Sequence, residues 1–392
     1  MTERVRFNQA YTTGKELDYV AEAQSSGHLS GDGPFTARCQ AWIEEHTGCA
    51  TVLLTHSCTG ALELATLLLD VQPGDEVIMP SFTYVTTANA FVLRGAVPVF
   101  VDIRQDTLNL DEKLVESAIT PRSRVIVPVH YAGVGCEMDP IMSVANRHGL
   151  MVVEDAAQGF AAAYHGKALG TFGHVGAYSF HETKNVTCGE GGGLLINHPA
   201  LTDRAEIIRE KGTDRSRFFR NEVDRYTWQD RGSSFLPGEL TAAYLLAQLQ
   251  KSGWITEQRL ILWERYHALL CPLECQGLLR RPIVPEHCQN NAHMYYVLLH
   301  SDMDRNWILD ELNRNQVSAV SHYVPLHSSP AGRRYSRTAG ALPVTDSASE
   351  RLIRLPMWVG LTEDQQQHVV NVLGAALEQV MPRRRPPRYG SP

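Results

Sequence analysis

Short apolar runs alternate in the first half of the chain with longer segments of mixed apolar and polar residues. The short runs are typical of buried strands, and the longer segments are typical of amphipathic helices. The predicted strands are Thr51 to Leu54, Glu76 to Met79, Val97 to Val101, Arg124 to Val129, Met151 to Val153 and Val175 to Phe180. The predicted helices are Cys58 to Leu69, Thr86 to Leu93, Asp111 to Ala118 and Met138 to His148. This alternation predicts an α/β fold with a large, doubly wound and mostly parallel sheet.

The C-terminal part of the chain predicts a second, smaller domain. Its predicted elements are the helices Leu240 to Gln250 and Trp254 to Leu270, the strand Met294 to His300, and the helices Arg305 to Asn313 and Glu363 to Gln379. Residues 272–291 between them are proline-rich and irregular, which places a boundary near residues 250–280. We therefore expect a large α/β domain with an N-terminal arm, residues 1–260, and a small α+β domain, residues 261–380.

The last twelve residues, MPRRRPPRYGSP, carry four arginines among four prolines. Such a segment can serve as an SH3-type ligand or as a nucleic-acid patch. A disordered, solvated tail is the more common meaning of this composition, and we expect one for residues 381–392.

Composition narrows the classes of function. The formal net charge of −7 argues against a general nucleic-acid partner. No apolar run has the length of a membrane span or of a signal-peptide core, so we expect a cytoplasmic protein without a membrane partner. The eight cysteines form no CxxC pair, and Cys271 and Cys275 lack a histidine at zinc-finger spacing. They predict reduced thiols and no metal site.

Residues 151–193 hold the richest candidate chemistry. The buried strand that starts this stretch ends at Asp155, and a carboxylate there faces the ligand crevice of an α/β sheet. Asp155 can pair with a pyridinium nitrogen and keep the ring electron-poor, as pyridoxal phosphate requires. Ser179 ends a second strand, where its hydroxyl suits a phosphate. Lys184 follows, just before a glycine turn, and its amine suits the cofactor's aldehyde.

Each of these three residues also has an ordinary structural meaning. Asp155 can cap a helix, Ser179 can be a plain strand hydroxyl, and Lys184 can be a solvated surface lysine. Their joint spacing, with a His-Glu-Thr-Lys step between the strand and the glycine turn, is more specific than any one of them.

With these residues in view, the sequence resembles the DegT/StrS family of sugar-nucleotide aminotransferases over nearly its whole length, apart from the last dozen residues. The stretches that carry the resemblance are VEDAAQ, SFHETK, EGG, SGDGPFTARCQAW (30–42), LLTHSCTGALELA (53–65), PGDEVIMPSFTYVTTANA (73–90), PVFVDIRQDTLNLD (98–111), VIVPVHYAG (125–133), HYVPLH (322–327) and RLPMWVGLTEDQQQHVV (354–370). Within the family the chain is most similar to the WecE type, which aminates dTDP-4-oxo-6-deoxyglucose at C4. The stretches HETKN, EIIREKGTDRSRFFR and YTWQDRGSSF carry that closer similarity.

The resemblance implies a fold-type I homodimer that uses pyridoxal 5′-phosphate and passes through its pyridoxamine 5′-phosphate form. Its implied substrates are a dTDP-sugar and an amino donor such as L-glutamate. Lys184 would anchor the cofactor, move the donor's Cα proton, and later deliver a proton to C4 of the sugar. One site would thus serve both half reactions.

The cofactor's phosphate is an anion, and it needs a site that favours negative charge. Ser57, Cys58 and Thr59 end one predicted strand and open a helix, whose N-terminus favours an anion. Simple N-capping explains these residues as well, and the two roles are compatible. In the family the matching position is a phosphate contact, as is Ser179.

Three further cofactor contacts come from the resemblance alone. Tyr84 matches an aromatic residue that stacks on the cofactor ring, and an aromatic core residue is its alternative. Gln158 matches a residue that hydrogen-bonds the cofactor's O3′. In GSSF, Ser234 stands where many members carry an asparagine that reaches the neighbouring subunit's phosphate, a departure that the WecE type shares.

The signals for the sugar nucleotide are weaker. The candidate residues are Gly31, His181, Arg215, Arg217, Arg220, His322, Tyr323 and His327. The arginines suit a diphosphate through their planar, two-pronged guanidinium groups, and they equally suit a solvated helix end. The histidines and tyrosine resemble segments that line the substrate mouth, whereas the glycine can equally serve a turn.

Three alternatives compete with transamination. A pyridoxamine-dependent sugar dehydratase belongs to the same family, but that branch has histidine in place of Lys184. A non-catalytic sugar-nucleotide-binding or regulatory protein would not need Asp155, Gln158, Ser179 and Lys184 together. An unrelated fold-type I enzyme such as a desulfurase would lack HYVPLH and SGDGPF. The sequence leaves the stereochemistry at C4 and the pathway open.

Overall fold

The computed structural model describes residues 4–380, so the predicted tail lies outside the described residues. The strands are β1 (Thr51–Thr55), β2 (Glu76–Pro80), β3 (Val97–Val101), β4 (Ser123–Ile126), β5 (Met151–Asp155), β6 (Ala163–Tyr164), β7 (Lys167–Ala168), β8 (Val175–Ser179), β9 (Gly192–Ile196), β10 (Leu279–Arg280), β11 (Cys288–Gln289), β12 (Tyr295–Leu299), β13 (Arg337–Thr338) and β14 (Leu352–Leu355). The helices are α1 (Glu16–Ser26), α2 (Pro34–Thr47), α3 (Cys58–Leu68), α4 (Val85–Val92), α5 (Glu112–Val115), α6 (Met138–His148), α7 (Thr202–Arg209), α8 (Arg215–Phe219), α9 (Glu239–Leu269), α10 (Cys271–Cys275), α11 (Arg305–Arg314), α12 (Pro330–Tyr335), α13 (Pro343–Arg351) and α14 (Glu363–Val380). No helix among the described residues is long and apolar enough to cross a bilayer.

An eight-stranded sheet in the order β1-β9-β8-β5-β4-β2-β3-β13 forms the centre of the larger part. β9 is antiparallel to both of its neighbours, and the other pairs are parallel. Helices cover both faces. In β1, for example, Leu53 packs in the core that contains α3, whereas Val52 and Leu54 pack in the core that contains α2 and the first half of α9. The predicted doubly wound, mostly parallel sheet is confirmed.

The direction of the strands determines which edge of the large sheet holds their carboxyl ends. Because β9 reverses between β1 and β8, the strands β1, β8, β5, β4, β2 and β3 all run the same way. Their carboxyl ends therefore meet at one edge of the sheet, where ligands bind in open α/β folds.

Two predicted elements in this part differ from the structure. The strand predicted over Arg124 to Val129 ends at Ile126 in β4. The helix predicted over Asp111 to Ala118 is the short α5, capped by Asp111, followed by a 3₁₀ turn at Glu116–Ala118. The remaining strands and helices predicted here lie within one or two residues of their observed positions.

The prediction of two helices at Leu240 to Gln250 and Trp254 to Leu270 was wrong, because α9 is one continuous helix of 31 residues. Gly253 lies in the gap between the two predicted helices, and the space beside it is open. Glycine costs about 1 kcal/mol in a helix interior, which burial on both sides of it offsets. Ile255 packs in the core of the large part, and Tyr266 packs in a second core.

The smaller part is built on the antiparallel sheet β10-β12-β14, which packs with α11, α14 and the second half of α9. The predicted boundary near residues 250–280 falls largely within α9, which both cores share. A division at residue 260 stays a prediction. The two parts also exchange short segments: Val5 packs in the small core, and β13 adds to the large sheet beside β3.

A buried carboxylate secures β13 to the large sheet. Glu76, at the start of β2, accepts hydrogen bonds from Nε and Nη2 of Arg337 at 3.0 and 2.7 Å. It also accepts from Arg122 and Thr120, each at 2.6 Å. The bonds from Arg337, aided by those from Thr120 and Arg122, outweigh burial and lower the pKa of Glu76 to about 2.

We expect Glu76→Gln to lower the free energy of unfolding at neutral pH by about 1–3 kcal/mol, because charged hydrogen bonds are lost. The folded-state pKa lies below the ordinary value of 4.5, so the carboxylate's contribution is complete above that value and declines as the pH falls toward 2. Urea unfolding of both proteins at neutral and acidic pH measures this difference. Glu116→Gln, which removes an exposed carboxylate, is the matched control. The assignment would be contradicted if the difference in free energy of unfolding between Glu76→Gln and the parent stayed the same at acidic pH.

Candidate active site

A cavity of about 460 Å³ opens at the carboxyl-end edge of the large sheet and is closed on one side by the small part. This volume is in the usual range for small-molecule sites. The predicted residues that line it are Ser57, Cys58, Thr59, Tyr84, Asp155, Gln158, Ser179, His181, Lys184, His322 and Tyr323. The structure thus brings residues from distant parts of the sequence to one place.

One end of the cavity is suited to an anion. Ser57 is the N-cap of α3, and its hydroxyl accepts the N–H of Gly60 at 3.0 Å. The first N–H groups of a helix have no intrahelical acceptor and carry the positive end of its dipole. Gly192 of β9 lies so close that a Cβ there would be 2.4 Å from the backbone nitrogen of Cys58. N-capping and an exposed helix N-terminus therefore coexist, with Ser179 nearby at the end of β8.

The two acidic side chains at the end of β5 point to opposite faces of the sheet, because successive side chains alternate along a strand. Asp155 faces the cavity, and its Oδ2 accepts from Thr87 Oγ1 at 2.6 Å while its Oδ1 accepts from the N–H of Ala157 at 3.1 Å. Glu154 points to the other side, where it accepts from backbone N–H groups of the 170–173 turn and pairs with His130 at 2.8 Å. Glu154 is therefore structural, and Asp155 presents a held carboxylate to the cavity.

Lys184 lies in the loop after β8, half-buried. The loop is fixed by the N–H of Lys184, which donates to the carbonyl of His181 at 2.9 Å, and by Asn185, which donates to the carbonyl of Asn291 at 2.7 Å. Burial lowers the pKa of the Lys184 amine, although Cys58 and Asp155 oppose the shift. A lower pKa increases the fraction of neutral amine, which is the nucleophilic form.

The small part contributes a stacked pair of rings. His322 and Tyr323 stack with centroids 3.7 Å apart. The Tyr131 hydroxyl and Nδ1 of His322 form a hydrogen bond of 2.7 Å, and burial holds the pKa of His322 well below its usual 6.5. Gln158 donates to the Tyr323 hydroxyl at 2.8 Å and accepts the N–H of Ala132 at 2.7 Å. The ring pair is therefore neutral, and the Gln158 amide has a fixed orientation.

Several predicted residues lie outside this cavity. His327 pairs with Ser81 at 2.8 Å and with Asp346 at 3.3 Å. Gly31 packs against the carbonyl of Pro237, 2.5 Å from where a Cβ would stand. Ser234 is exposed and does not line the cavity of its own chain.

The three candidate arginines also lie away from the cavity of their own chain, and each has a carboxylate partner. The pairs are Arg215 with Glu210 at 3.1 Å, Arg217 with Asp203 at 2.6 Å, and Arg220 with Glu206 at 2.9 Å and Glu222 at 2.7 Å. A diphosphate would therefore compete with existing ion pairs for them.

The structure adds cavity residues that the sequence reasoning did not assign. They are Thr83, Thr86, Thr183, Glu190, His293, Ser321 and Arg354. The first two lie in the PSFTYVTT stretch, where the threonines beside Tyr84 were the available signal. His293 and Arg354 reach the cavity through the packing of the small part. Arg354 begins the stretch 354–370 that carries part of the resemblance, but no role was predicted for it.

Comparison with known proteins decides the class of this site. The sequence profile of the DegT/DnrJ/EryC1/StrS aminotransferase family matches residues 11–374. The chain belongs to this family. The expected membership is confirmed.

Individual relatives match over nearly their full length. GDP-perosamine synthase of Caulobacter vibrioides is 33% identical over 94% of this chain and 96% of its own. The aminotransferase TlmJ from Streptoalloteichus hindustanus superposes with a TM-score of 0.88 at 30% identity, covering 96% of this chain and 100% of TlmJ. DesV from S. venezuelae, solved in complex with a ketimine intermediate, superposes with a TM-score of 0.87 at 30% identity, covering 96% and 99%. The chain is a pyridoxal-phosphate-dependent sugar aminotransferase of fold type I.

The donor set of the cavity fits this cofactor. A helix N-terminus with hydroxyls suits a phosphate, a held carboxylate suits a pyridinium nitrogen, and a neutral amine suits an aldehyde. When bound, pyridoxal phosphate supplies that aldehyde and a protonated ring that withdraws electrons from the reacting carbon.

We expect Asp155→Asn to lower kcat by about 100-fold or more, because losing several units of ring pKa weakens the electron sink. Thr87→Val removes one hydrogen bond to Asp155 but keeps the charge, so we expect a loss below about 10-fold. Both variants should retain most of their bound cofactor. Steady-state turnover and the absorbance of the bound cofactor measure the two effects, and equal kcat for Asp155→Asn and the parent would contradict this role.

Proposed function

We propose that this enzyme transfers an amino group from an amino acid such as L-glutamate to the C4 ketone of a dTDP-4-oxo-6-deoxyhexose. The product would be a dTDP-4-amino-4,6-dideoxyhexose, made by a homodimer in the cytoplasm. The observation that carries the proposal is the shared cavity in which the half-buried amine of Lys184 and the held carboxylate of Asp155 meet. An amine and a carboxylate in this setting suit proton transfer at a carbon next to nitrogen.

The relatives support the substrate class. GDP-perosamine synthase has a nucleotide-linked product in its name, and TlmJ and DesV share the fold over almost the whole chain. The proposal of dTDP as the nucleotide and of C4 as the reacting carbon rests on the similarity to the WecE type. The stretches HETKN, EIIREKGTDRSRFFR and YTWQDRGSSF carry that similarity.

In this proposal Lys184 works as anchor and as proton carrier. Burial lowers the pKa of its amine, so the side chain in its neutral form could accept the proton that leaves the donor's Cα. The same amine then returns a proton at C4 of the sugar. Asp155, fixed by Thr87, would lie next to the ring nitrogen.

The other cavity residues would bind and orient. Ser57, Cys58, Thr59 and Ser179 would hold the phosphate, and burial raises the pKa of the Cys58 thiol well above its usual value, so it acts as a neutral donor. Tyr84 would cover the ring, and Gln158 would face its O3′. The diphosphate contacts proposed for Arg215, Arg217 and Arg220 would have to replace their present ion pairs. Gly31, His181, His322, Tyr323 and His327 stay candidates for the sugar side.

The dehydratase alternative is less well supported. That branch of the family has a histidine where Lys184 stands, and here the lysine lies in the cavity beside Asp155. A lyase that holds its cofactor without a covalent anchor has no need of a desolvated amine at this position.

NMR of the product formed from dTDP-4-oxo-6-deoxyglucose and L-glutamate tests the reaction, the position and the stereochemistry together. We expect an amino group at C4. Lys184→Ala is the matched control and should abolish turnover while leaving the fold and pyridoxamine-phosphate binding intact. An amine at another carbon, or near-parental turnover by Lys184→Ala, would overturn the assignment.

The resemblance implies a homodimer, and large apolar side chains that are exposed in the single chain support that proposal. Trp228 is 82% exposed, Phe219 64% and Tyr84 58%, and Ser234 lies on the same segment as Trp228. A second copy would bury these side chains and shut water out of the site. Two-fold symmetry would then place each Ser234 at the other chain's phosphate.

We expect sedimentation at micromolar concentration to show a dimer. Ser234→Ala should weaken cofactor binding by about 3- to 10-fold, the effect of one neutral hydrogen bond. Ser233→Ala, at the neighbouring exposed serine, is the control. A fully active monomer would remove both the dimer and the role of Ser234.

A further inference from the structure

A second cavity, of about 370 Å³, lies between the large and small parts of the chain. The large part contributes the turn after β3, through Gln105 and Leu108, and the small part contributes residues of β10, β12 and α13. This cavity shares no lining residue with the cavity that contains Lys184. Its volume is in the usual range for small-molecule sites, so we examined its chemistry separately.

One guanidinium in this second cavity has an edge without hydrogen-bond acceptors. Arg280, in β10, donates through Nη1 to the backbone carbonyl of Gln105, which fixes one side of the group. Its Nε and Nη2, which form the other edge, are buried without a hydrogen-bond partner within residues 4–380. Buried donors without acceptors are costly, because their lost hydration is not replaced. An anion that accepts two parallel hydrogen bonds from this edge would relieve that cost.

A second guanidinium lines the same cavity. Arg351, at the end of α13, donates through Nε to the carbonyl of Ser347 and through Nη1 to the carbonyl of Leu299, both at 3.1 Å. Burial lowers the pKa of Arg351, and the positive charge of Arg280 lowers it further, although Glu350 opposes the shift. An arginine does not lose its proton under ordinary conditions, so neutralisation cannot relieve the repulsion between the two groups.

The protein supplies little negative charge to this pair. Within residues 4–380, no carboxylate lines the cavity. Asp106 and Glu112, in the neighbouring segment of the large part, pair with Arg104 at 2.7 and 3.0 Å. Glu350 has an exposed side chain, outside the cavity lining. The two guanidiniums therefore remain available to an anionic ligand.

The walls of the cavity narrow the class of ligand. A phosphate monoester carries a charge of about −1.5 to −2 at neutral pH, so it matches two guanidiniums better than a single carboxylate does. Much of the remaining wall is apolar, with Leu108, Leu298 and Val344 among its residues. A nucleobase presents a flat face that can pack on such a wall. A hexose would bury hydroxyl groups there without partners.

We propose that this cavity binds a nucleoside monophosphate, with its phosphate between Arg280 and Arg351 and its base against Leu108 and Leu298. The proposed site does not depend on sugar amination, because no residue that lines the Lys184 cavity takes part in it. Both parts of the chain supply its walls, so a bound nucleotide bridges them and stabilises the folded chain.

Calorimetric titration of the enzyme, loaded with pyridoxal phosphate, against dTMP tests the site. We expect Arg280→Met and Arg351→Met each to weaken binding at this site by roughly 10- to 100-fold, the usual effect of losing a charged hydrogen-bonded pair. Arg351→Lys keeps the charge but loses the planar fork, so its effect should be intermediate. Arg305→Met removes another half-buried arginine of the small part, one that does not line the cavity, and it should bind dTMP like the parent.

Equal dTMP binding by the parent and both Met variants would overturn the proposal. If dTMP also enters the cavity that contains Lys184, the parent should bind one dTMP per chain more than the Met variants bind at the same concentrations. Soaking crystals with 5-bromo-2′-deoxyuridine 5′-monophosphate locates the ligand directly through the anomalous signal of bromine. We expect a peak near Leu108 and Leu298, and a peak in the Lys184 cavity alone would contradict the assignment.

Three simpler probes test the class of ligand. Thymidine lacks the phosphate, inorganic phosphate lacks the base, and glucose 1-phosphate has a hexose in place of the nucleoside. We expect each to bind more weakly than dTMP by about 10-fold or more. Inorganic phosphate binding as tightly as dTMP would mean an adventitious ion only. Glucose 1-phosphate binding more tightly than dTMP would assign the cavity to sugar phosphates and overturn the choice of a nucleotide.

Thermal unfolding separates loss of binding from loss of folding. Saturating dTMP should raise the unfolding midpoint of the parent and of Arg305→Met, and it should raise that of the two Met variants at the cavity much less. Without ligand, we expect the midpoints of Arg280→Met and Arg351→Met to stay near the parent's, because each change removes one of two repelling charges. If either variant is less stable, Arg351→Lys decides the result, and parental dTMP affinity in it would contradict the role of the planar fork.

Discussion

The common direction of six strands is the constraint on which the site depends. Three of these strand ends contribute one group each: β1 leads into the N-terminus of α3, β5 ends in Asp155, and β8 ends in Ser179. These groups are far apart in sequence and meet because parallel strands end at the same edge. The antiparallel β9 preserves that direction between β1 and β8, and its Gly192 allows the close approach to α3 that the arrangement needs.

The pleat of β5 places two neighbouring carboxylates on opposite faces of the strand, where they have different partners. Glu154 satisfies three backbone N–H groups and His130 on the buried side, while Asp155 is held by one hydroxyl and one backbone N–H on the open side. Three backbone donors and a histidine satisfy the hydrogen-bonding capacity of the inner carboxylate within the protein. The outer carboxylate keeps accepting capacity for a ligand, which is what a group facing a cofactor requires.

Much of this was predictable from the sequence, and what was missed has a common cause. Strand ends and the residues that follow them could be located because apolar runs and their terminal polar residues are local features, as with Asp155, Ser179 and Lys184. The continuity of α9 was not predictable at Gly253, since burial against two separate cores outweighs the helix propensity of a single residue. His293 and Arg354 were not predicted as cavity residues for a similar reason, because they reach the cavity through the long-range packing of the small part. Residue type alone left Arg215, Arg217 and Arg220 as either diphosphate ligands or a solvated helix end, and their ion pairs could only be seen in the structure.

The charge distribution of the cavity explains why its two walls have different tasks. The large sheet supplies a helix N-terminus, hydroxyls and one carboxylate, a set that can hold a phosphate and a protonated ring. The small part supplies neutral rings and a guanidinium that forms no ion pair within residues 4–380. Burial favours the neutral form of the Lys184 amine, and nearby positive charge favours it further. An arriving carboxylate would reverse part of that effect by raising the amine's proton affinity.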